Sequence, residues 1–270
     1  MGRAAVNPWL DFHEIPDREM IIDSYRFGDF DPDALTGINA VLGTGASLTT
    51  VQKGAANGLV RRMKTDGLWA LMDGVYLILG GTAGAHSVNW KQPGTYDVSW
   101  YGTVAHDSSG FTPDGATGAG IMSGLGGGGS DFSAGVYTGV VATPGNRIDM
   151  GGVDGSSNFF IIRSRASDVF DYLLGNTGTG GGPSSTNVPG LRTICCNGTV
   201  IQYENGTALG TGRTLSGDCP ADLRFGQTGF ADWSDSNMRF GFRGSYLDAT
   251  QNMKLRLAVQ AYQTALGRAV

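Results

Sequence analysis

Over 270 residues the chain carries only three histidines, three cysteines and three glutamates (Glu14, Glu19 and Glu204), and each scarcity excludes a class of chemistry. Retaining glycoside hydrolysis uses two carboxylates about 5–5.5 Å apart, and no strand-like segment here carries two glutamates. His13, His86 and His106 form no His-x-x-x-His pair, and Cys195-Cys196 lacks the Cys-x-x-Cys spacing of a zinc site. A nucleophile elbow of the form Gly-x-Ser-x-Gly is missing, and Gly43-Thr44-Gly45 has neither the third glycine nor the Lys-Ser/Thr of a phosphate loop. Charge is also scarce: 16% of residues are charged, the net charge is −5, and Arg61, Arg62 and Lys64 are the one tight basic cluster. Nucleic-acid binding needs a basic face and is disfavoured. The longest apolar run, near residues 68–79, is cut by Asp73 and falls short of the ~20 residues a bilayer requires. The first residues hold no apolar stretch of the signal-peptide kind, and Gly2 lacks the Ser or Thr at position 6 that myristoylation wants, having Val6 instead. Cys195, Cys196 and Cys219 are an odd set with two adjacent members, from which no disulfide framework can be read.

What is abundant is glycine, 45 residues of it, which with so little charge favours many tight turns and an all-β chain. Short strand-like segments recur at 95–104, 118–123, 134–141, 147–152, 158–164 and 168–175. Two glycine-rich excursions, near Leu125 and at 176–187, read as exposed loops. Asn197-Gly198 and Asn205-Gly206 are each flanked by strand formers and predict two consecutive hairpins, since this dipeptide accepts positive φ at both turn positions. Strands at 223–229 and 239–246 complete a count of at least ten. One helix is predicted before them, capped by Ser47 or Thr49, with Val51, Ala55, Leu59, Val60 and Met63 on its apolar face. Another closes the chain, capped by Asp248 or Thr250, with Met253, Leu255, Leu257, Ala258, Ala261, Tyr262 and Ala265 on its buried side. Trp69, in the Gly-Leu-Trp element between helix and strand, reads as a core anchor. The expected architecture is an antiparallel two-layer β-sandwich over residues 49–270. Residues 1–48, with Pro8, Pro16, Pro32 and one strand-like stretch at 21–27, read either as an arm that docks on a neighbour or as a wrapping that completes the core.

Three blocks in order carry a resemblance. They are Lys64-Thr65-Asp66-Gly67-Leu68-Trp69, then Gly80-Gly81-Thr82-Ala83 with His86 and Asn89, then Thr112-Pro113-Asp114-Gly115. With the closing AVQAYQTALGR they make the chain similar to bacteriophage virion structural proteins that have a concanavalin A-like, LamG-like jelly roll. The segment GAGIMSGLGGGGSDFS departs from that pattern, and with it the strand register expected around 118–135. The resemblance implies a tail, baseplate, fibre or capsid-decoration protein without enzymatic activity. It would be folded in the host cytoplasm with reduced cysteines, and assembled as an oligomer with other virion proteins. Aromatic residues give the most buried area per ordered residue, so Trp9, Phe12 and Tyr25 are the expected assembly contacts of the arm.

Host-surface glycan is the one further partner that the residues themselves suggest. The segment FADWSDSN sets Trp233 among Asp232, Asp235 and Asn237, the mixture of aromatic face and polar side chains a sugar site uses. Its alternative is a surface turn whose tryptophan packs onto the sheet. His86 and His106 are expected to hydrogen-bond backbone at a sheet end. No cofactor is expected. Some LamG-like domains hold Ca²⁺, for which Asp149, Asp154 and Asp168 are the candidates.

Overall fold

The computed structural model describes residues 30–126, 131–140, 147–153, 159–164, 170–174, 189–214, 219–229 and 233–269. Two antiparallel sheets lie face to face. The eight-stranded sheet runs β12-β11-β10-β6-β14-β4-β3, with β1 also paired to β14. Its strands are β1 (Met72–Leu77), β3 (Val104–Asp107), β4 (Gly110–Pro113), β6 (Asp131–Val140), β10 (Gly190–Asn197), β11 (Thr199–Glu204), β12 (Thr207–Thr214) and β14 (Asn237–Gly244). The six-stranded sheet runs β2-β5-β13-β7-β8-β9, built from β2 (Ser99–Tyr101), β5 (Ala119–Met122), β7 (Arg147–Val153), β8 (Phe159–Ser164), β9 (Phe170–Leu174) and β13 (Leu223–Phe225). The expected all-β, two-layer antiparallel sandwich is therefore the observed one.

Side chains that alternate along each strand divide the interior into two cores. Tyr76, Phe132, Ile194, Cys196 and Met238 meet Met122, Met150, Phe160, Leu223 and Phe225 between the sheets. Leu77, Leu191, Cys195, Phe240 and Phe242 point the other way, into a layer of helices. The register shift between Met238 and Phe240 explains why β14 feeds both cores from positions two apart. Adjacent Cys195 and Cys196 thus face opposite sides of one sheet, and none of the three cysteines is in a disulfide. Burial pushes the Cys195 thiol up to about 11.

The helices number four among the described residues, where sequence reading expected two: α1 (Pro32–Gly43), α2 (Thr50–Thr65), α3 (Ala83–Ser87) and α4 (Ala249–Ala265). Thr49 and Asp248 are the caps of α2 and α4, each in a reciprocal capping box with a glutamine three residues on. Of the two readings of the N-terminal segment, residues 30–48 follow the one that completes the core: they contribute α1, whose Ala34, Ile38 and Val41 are buried in the helical core together with Leu48. Asp31 accepts from the Asp33 N–H as N-cap and Pro32 occupies the first turn, a start signal that the prolines and acidic residues masked. Gly37 lies against Trp90, where a Cβ would fall 2.2 Å from the indole. The stretch 21–27 and the contacts expected of Trp9, Phe12 and Tyr25 fall outside the described residues.

Three other expectations need correction. Segment 95–104 is not one strand, because Gly102 turns at φ 62, with Thr117 O so near that a Cβ there would lie 2.0 Å from it. At Asn205-Gly206 both residues take positive φ (49 and 78). The turn at Asn197-Gly198 needs only Gly198 there (φ 82), because Cys196 pairs with Val200 and leaves three residues in the loop. Leu257 is 44% exposed and Met253 is 38% exposed, while Asn252, Leu255, Ala258, Val259, Tyr262 and Gln263 form the buried face of α4.

Candidate functional site

The eight-stranded sheet is covered by helices on one side and by the other sheet on its second; among the described residues no helix contributes to a core on the outer side of the six-stranded sheet. Leu223 and Phe225 point inward, so Arg224 between them points out. Trp100 packs inward against the inter-sheet core, so Tyr101 next to it points out as well.

A turn laid across this face brings further groups to them. Gly226 (φ 80) starts it against Pro113, and Gly151 of β7 leaves room for Thr228, whose methyl carbon would lie 2.8 Å from a Cβ. Gln227, 6% exposed, pairs by a single bridge with Trp233. Its side-chain oxygen accepts hydrogen bonds from the Tyr101 hydroxyl and, at 3.4 Å, from Arg224 Nη1. Trp233 stands edge-on to Tyr101, ring centroids 6.2 Å apart and planes at 70°. Desolvation raises the Tyr101 phenol above its ordinary pKa, against the opposing influence of Arg224, so the phenol is a hydrogen-bond donor throughout the neutral range. The result is an aromatic pair beside a guanidinium and an amide, all held on strand or bridge backbone.

The loop that carries Trp233 is anchored from below. Ser234 donates to the buried carboxylate of Asp149 at 2.9 Å, and its own hydroxyl accepts from the Ser236 N–H. Asp149 also lies 3.6 Å from Arg192, a fully buried guanidinium that reaches Thr138 and approaches Glu204. Asp149 is thereby committed to the fold, and Ca²⁺ ligation through it is not supported; Asp154 and Asp168 lie outside the described residues. Among those residues no group of three His, Cys, Asp or Glu converges as a metal site would require.

Of the four residues read as a glycan site, Trp233 alone joins the aromatic pair. Asp235 sits on the adjoining rim, paired with Arg147 at 3.2 Å beside the Gly115 turn. Asn237 is turned inward: its amide donates to Thr112 Oγ1 at 3.1 Å and its oxygen accepts from Arg239 Nε at 2.8 Å. Asp232 falls outside the described residues. Tyr101, Arg224 and Gln227 escaped sequence reading because they come from β2, β13 and the turn after it, far apart in the chain.

The blocks around Gly67, Thr82 and Asn89, and the closing helix segment, serve packing. Gly67 (φ 73) ends α2, Thr82 caps α3, and buried Asn89 ties Val75, Asp73, Thr95 and Lys91 together. His86 and His106 do not bond backbone as expected; their Nδ1 atoms lie 3.0 Å apart, against Trp100 and Phe111. Arg268, after Gly267, reaches Ile78 O at 2.9 Å and pins the chain end beneath the β3–β4 hairpin.

A concavity elsewhere, between α2 and α4, is lined by Gly54, Gly58, Leu257 and Ala261 with Arg62 at its edge. Arg62 is paired with Asp66, so the groove offers a sugar almost nothing to bond.

The sequence matches no protein-family model and no curated protein. Solved structures do match. Trypanosoma rangeli sialidase, as its difluorosialic acid covalent intermediate, superposes with TM-score 0.57 at 12% identity over 79% of this chain and 40% of that one. The same enzyme with sialic acid gives 0.57 at 13% identity, over 75% and 38% of the two chains. The HCR/D W1238A mutant gives 0.50 at 12% identity, over 71% and 52%. This chain thus spans 40% or less of the sialidases' length. Likeness at this level of identity establishes the fold: a two-layer antiparallel β-sandwich shared with part of a sialidase.

Proposed function

We propose that this chain is a non-enzymatic β-sandwich that contacts carbohydrate through the outer face of its six-stranded sheet, carried as a structural part of a bacteriophage virion. The observation that carries the sugar contact is the Tyr101–Trp233 pair, set beside Arg224 and Gln227 on the outer side of the six-stranded sheet. Aromatic rings with an apolar body and a polar tip suit the C–H faces and hydroxyls of a pyranose, and polar groups fixed on rigid backbone supply orientation. That the sialidase of the same fold is solved with sialic acid agrees with this reading.

Screening the purified protein on a glycan array tests it. Binding to a defined subset of glycans is expected, and Trp233→Ala should weaken that binding at least tenfold without altering the melting temperature. The same preparation should release no reducing sugar from any glycan it binds; of the described carboxylates on this side, Asp235 is paired with Arg147 at 3.2 Å and Asp222 accepts from the Gly124 N–H at 2.9 Å. A blank array would remove the sugar contact, and turnover would make the protein an enzyme.

The virion setting rests on the order of the shared blocks and on the aromatic residues Trp9, Phe12 and Tyr25 upstream of α1. Deleting residues 1–20 should leave the sandwich folded and abolish incorporation into particles; normal incorporation would refute that role.

A further inference from the structure

We infer that the ligand of this face carries a carboxylate and that Arg224 receives it, an assignment that rests on the sugar-contacting reading above. The charges on and around the face argue for it. Arg147, at the rim, is neutralised by Asp235 at 3.2 Å. Arg224 has no such partner: among the described residues its contacts are the neutral groups Gln227 and Tyr101, and no carboxylate pairs with it. Its Nε is buried and makes no hydrogen bond. A guanidinium taken partly out of water without a counter-charge costs free energy, which a bound anion recovers.

Gly229, at φ 116, passes so close that a Cβ would fall 2.8 Å from Arg224 Nη1 and 2.7 Å from Val153 Cγ1. Any side chain at 229 would be strained and would crowd the guanidinium, so this position is held to glycine. The planar fork of arginine matches a carboxylate with two parallel hydrogen bonds. The Tyr101 hydroxyl and Arg224 Nη1 bond the same Gln227 side-chain oxygen, so a sugar ring resting on the Tyr101–Trp233 pair lies beside the guanidinium. The ligand class is therefore an acidic sugar, a sialic acid or a uronic acid, in preference to a neutral glycan.

Isothermal titration of the full chain with 3′-sialyllactose, digalacturonate and lactose tests the assignment. At least one acidic probe should bind tenfold or more tightly than lactose, and raising NaCl should narrow the difference in the wild-type protein. Arg224→Gln should abolish the preference, bringing the affinity for the acidic probes down to that for lactose in the same variant, with the fold retained by circular dichroism. Arg224→Lys, which keeps the charge and the apolar stem, should retain part of it. Equal affinity for acidic and neutral probes, or a preference that survives Arg224→Gln, would overturn the carboxylate assignment and leave the sugar-contacting face intact. Failure of every probe together with a blank array would remove both.

Discussion

Trp69→Ala is expected to cost ~3–5 kcal/mol of stability, the range for truncating a large buried aromatic. Trp69 is 4% exposed and sits in the single 3₁₀ turn that links α2 to β1, so it packs where the helical layer meets the eight-stranded sheet. Lys91 closes over it, its ammonium 5.2 Å from the ring and donating to the Trp69 carbonyl at 2.9 Å. The loss combines the missing transfer free energy with a cavity that neither Met72 nor Leu68, both buried and already packed, can fill without moving the strand. Since single domains have only about 5–15 kcal/mol to lose, the mutant should unfold at far lower urea. A mutant with the parent's urea midpoint would show that the helical layer is not docked through this residue.

Mild acid should destabilise the protein through the histidine pair. Burial first, and then His106 and Arg268, hold the His86 imidazole down to about 3, with Asp107 opposing them; desolvation lowers His106 as well. The folded state therefore keeps His86 neutral where the unfolded chain, with its ordinary value of 6.5, binds a proton. Stability is fully present above about pH 6.5 and is lost as pH falls from there toward 3, at up to about 1.4 kcal/mol per pH unit for His86 alone. The native carboxylates with lowered pKa, Asp33, Asp107 and Asp114, act only as pH nears their unfolded value of 3.8. Between pH 6.5 and 4.5 the histidines are thus the main cause of any decline. Melting temperatures across that window should fall steadily, and His86→Leu should flatten the profile. An unchanged slope in the mutant would assign acid sensitivity elsewhere.

Much of this fold is legible in local sequence, where chemistry is local. Asn205-Gly206 shows its turn because both residues take positive φ, and Thr49 and Asp248 show their helices through capping boxes. Helix α1 carried the same kind of signal in Asp31-Pro32 with Ala34, Ile38 and Val41, hidden among prolines and acids that suggest an extended chain. The exposure of Leu257 was not readable, because helical spacing alone cannot tell which part of a broad apolar stripe a neighbour covers. The candidate site was readable only at Trp233. Its other members are distributed over β2, β13 and the following turn, and Asn237, four residues after Trp233, is drawn inward by Thr112 and Arg239. A site assembled by strand pairing leaves no spacing for a sequence to reveal.

The central claim is that the outer face of the six-stranded sheet binds sugar, and indole N–H spectroscopy tests it most directly. The five tryptophans give one indole resonance each in a ¹⁵N correlation spectrum. Titration with a glycan that the array identifies should shift the Trp233 resonance and the backbone amides of Tyr101, Arg224 and Gln227, leaving buried Trp69 and Trp90 in place. Shifts confined to the groove between α2 and α4, with Trp233 unmoved, would contradict the account.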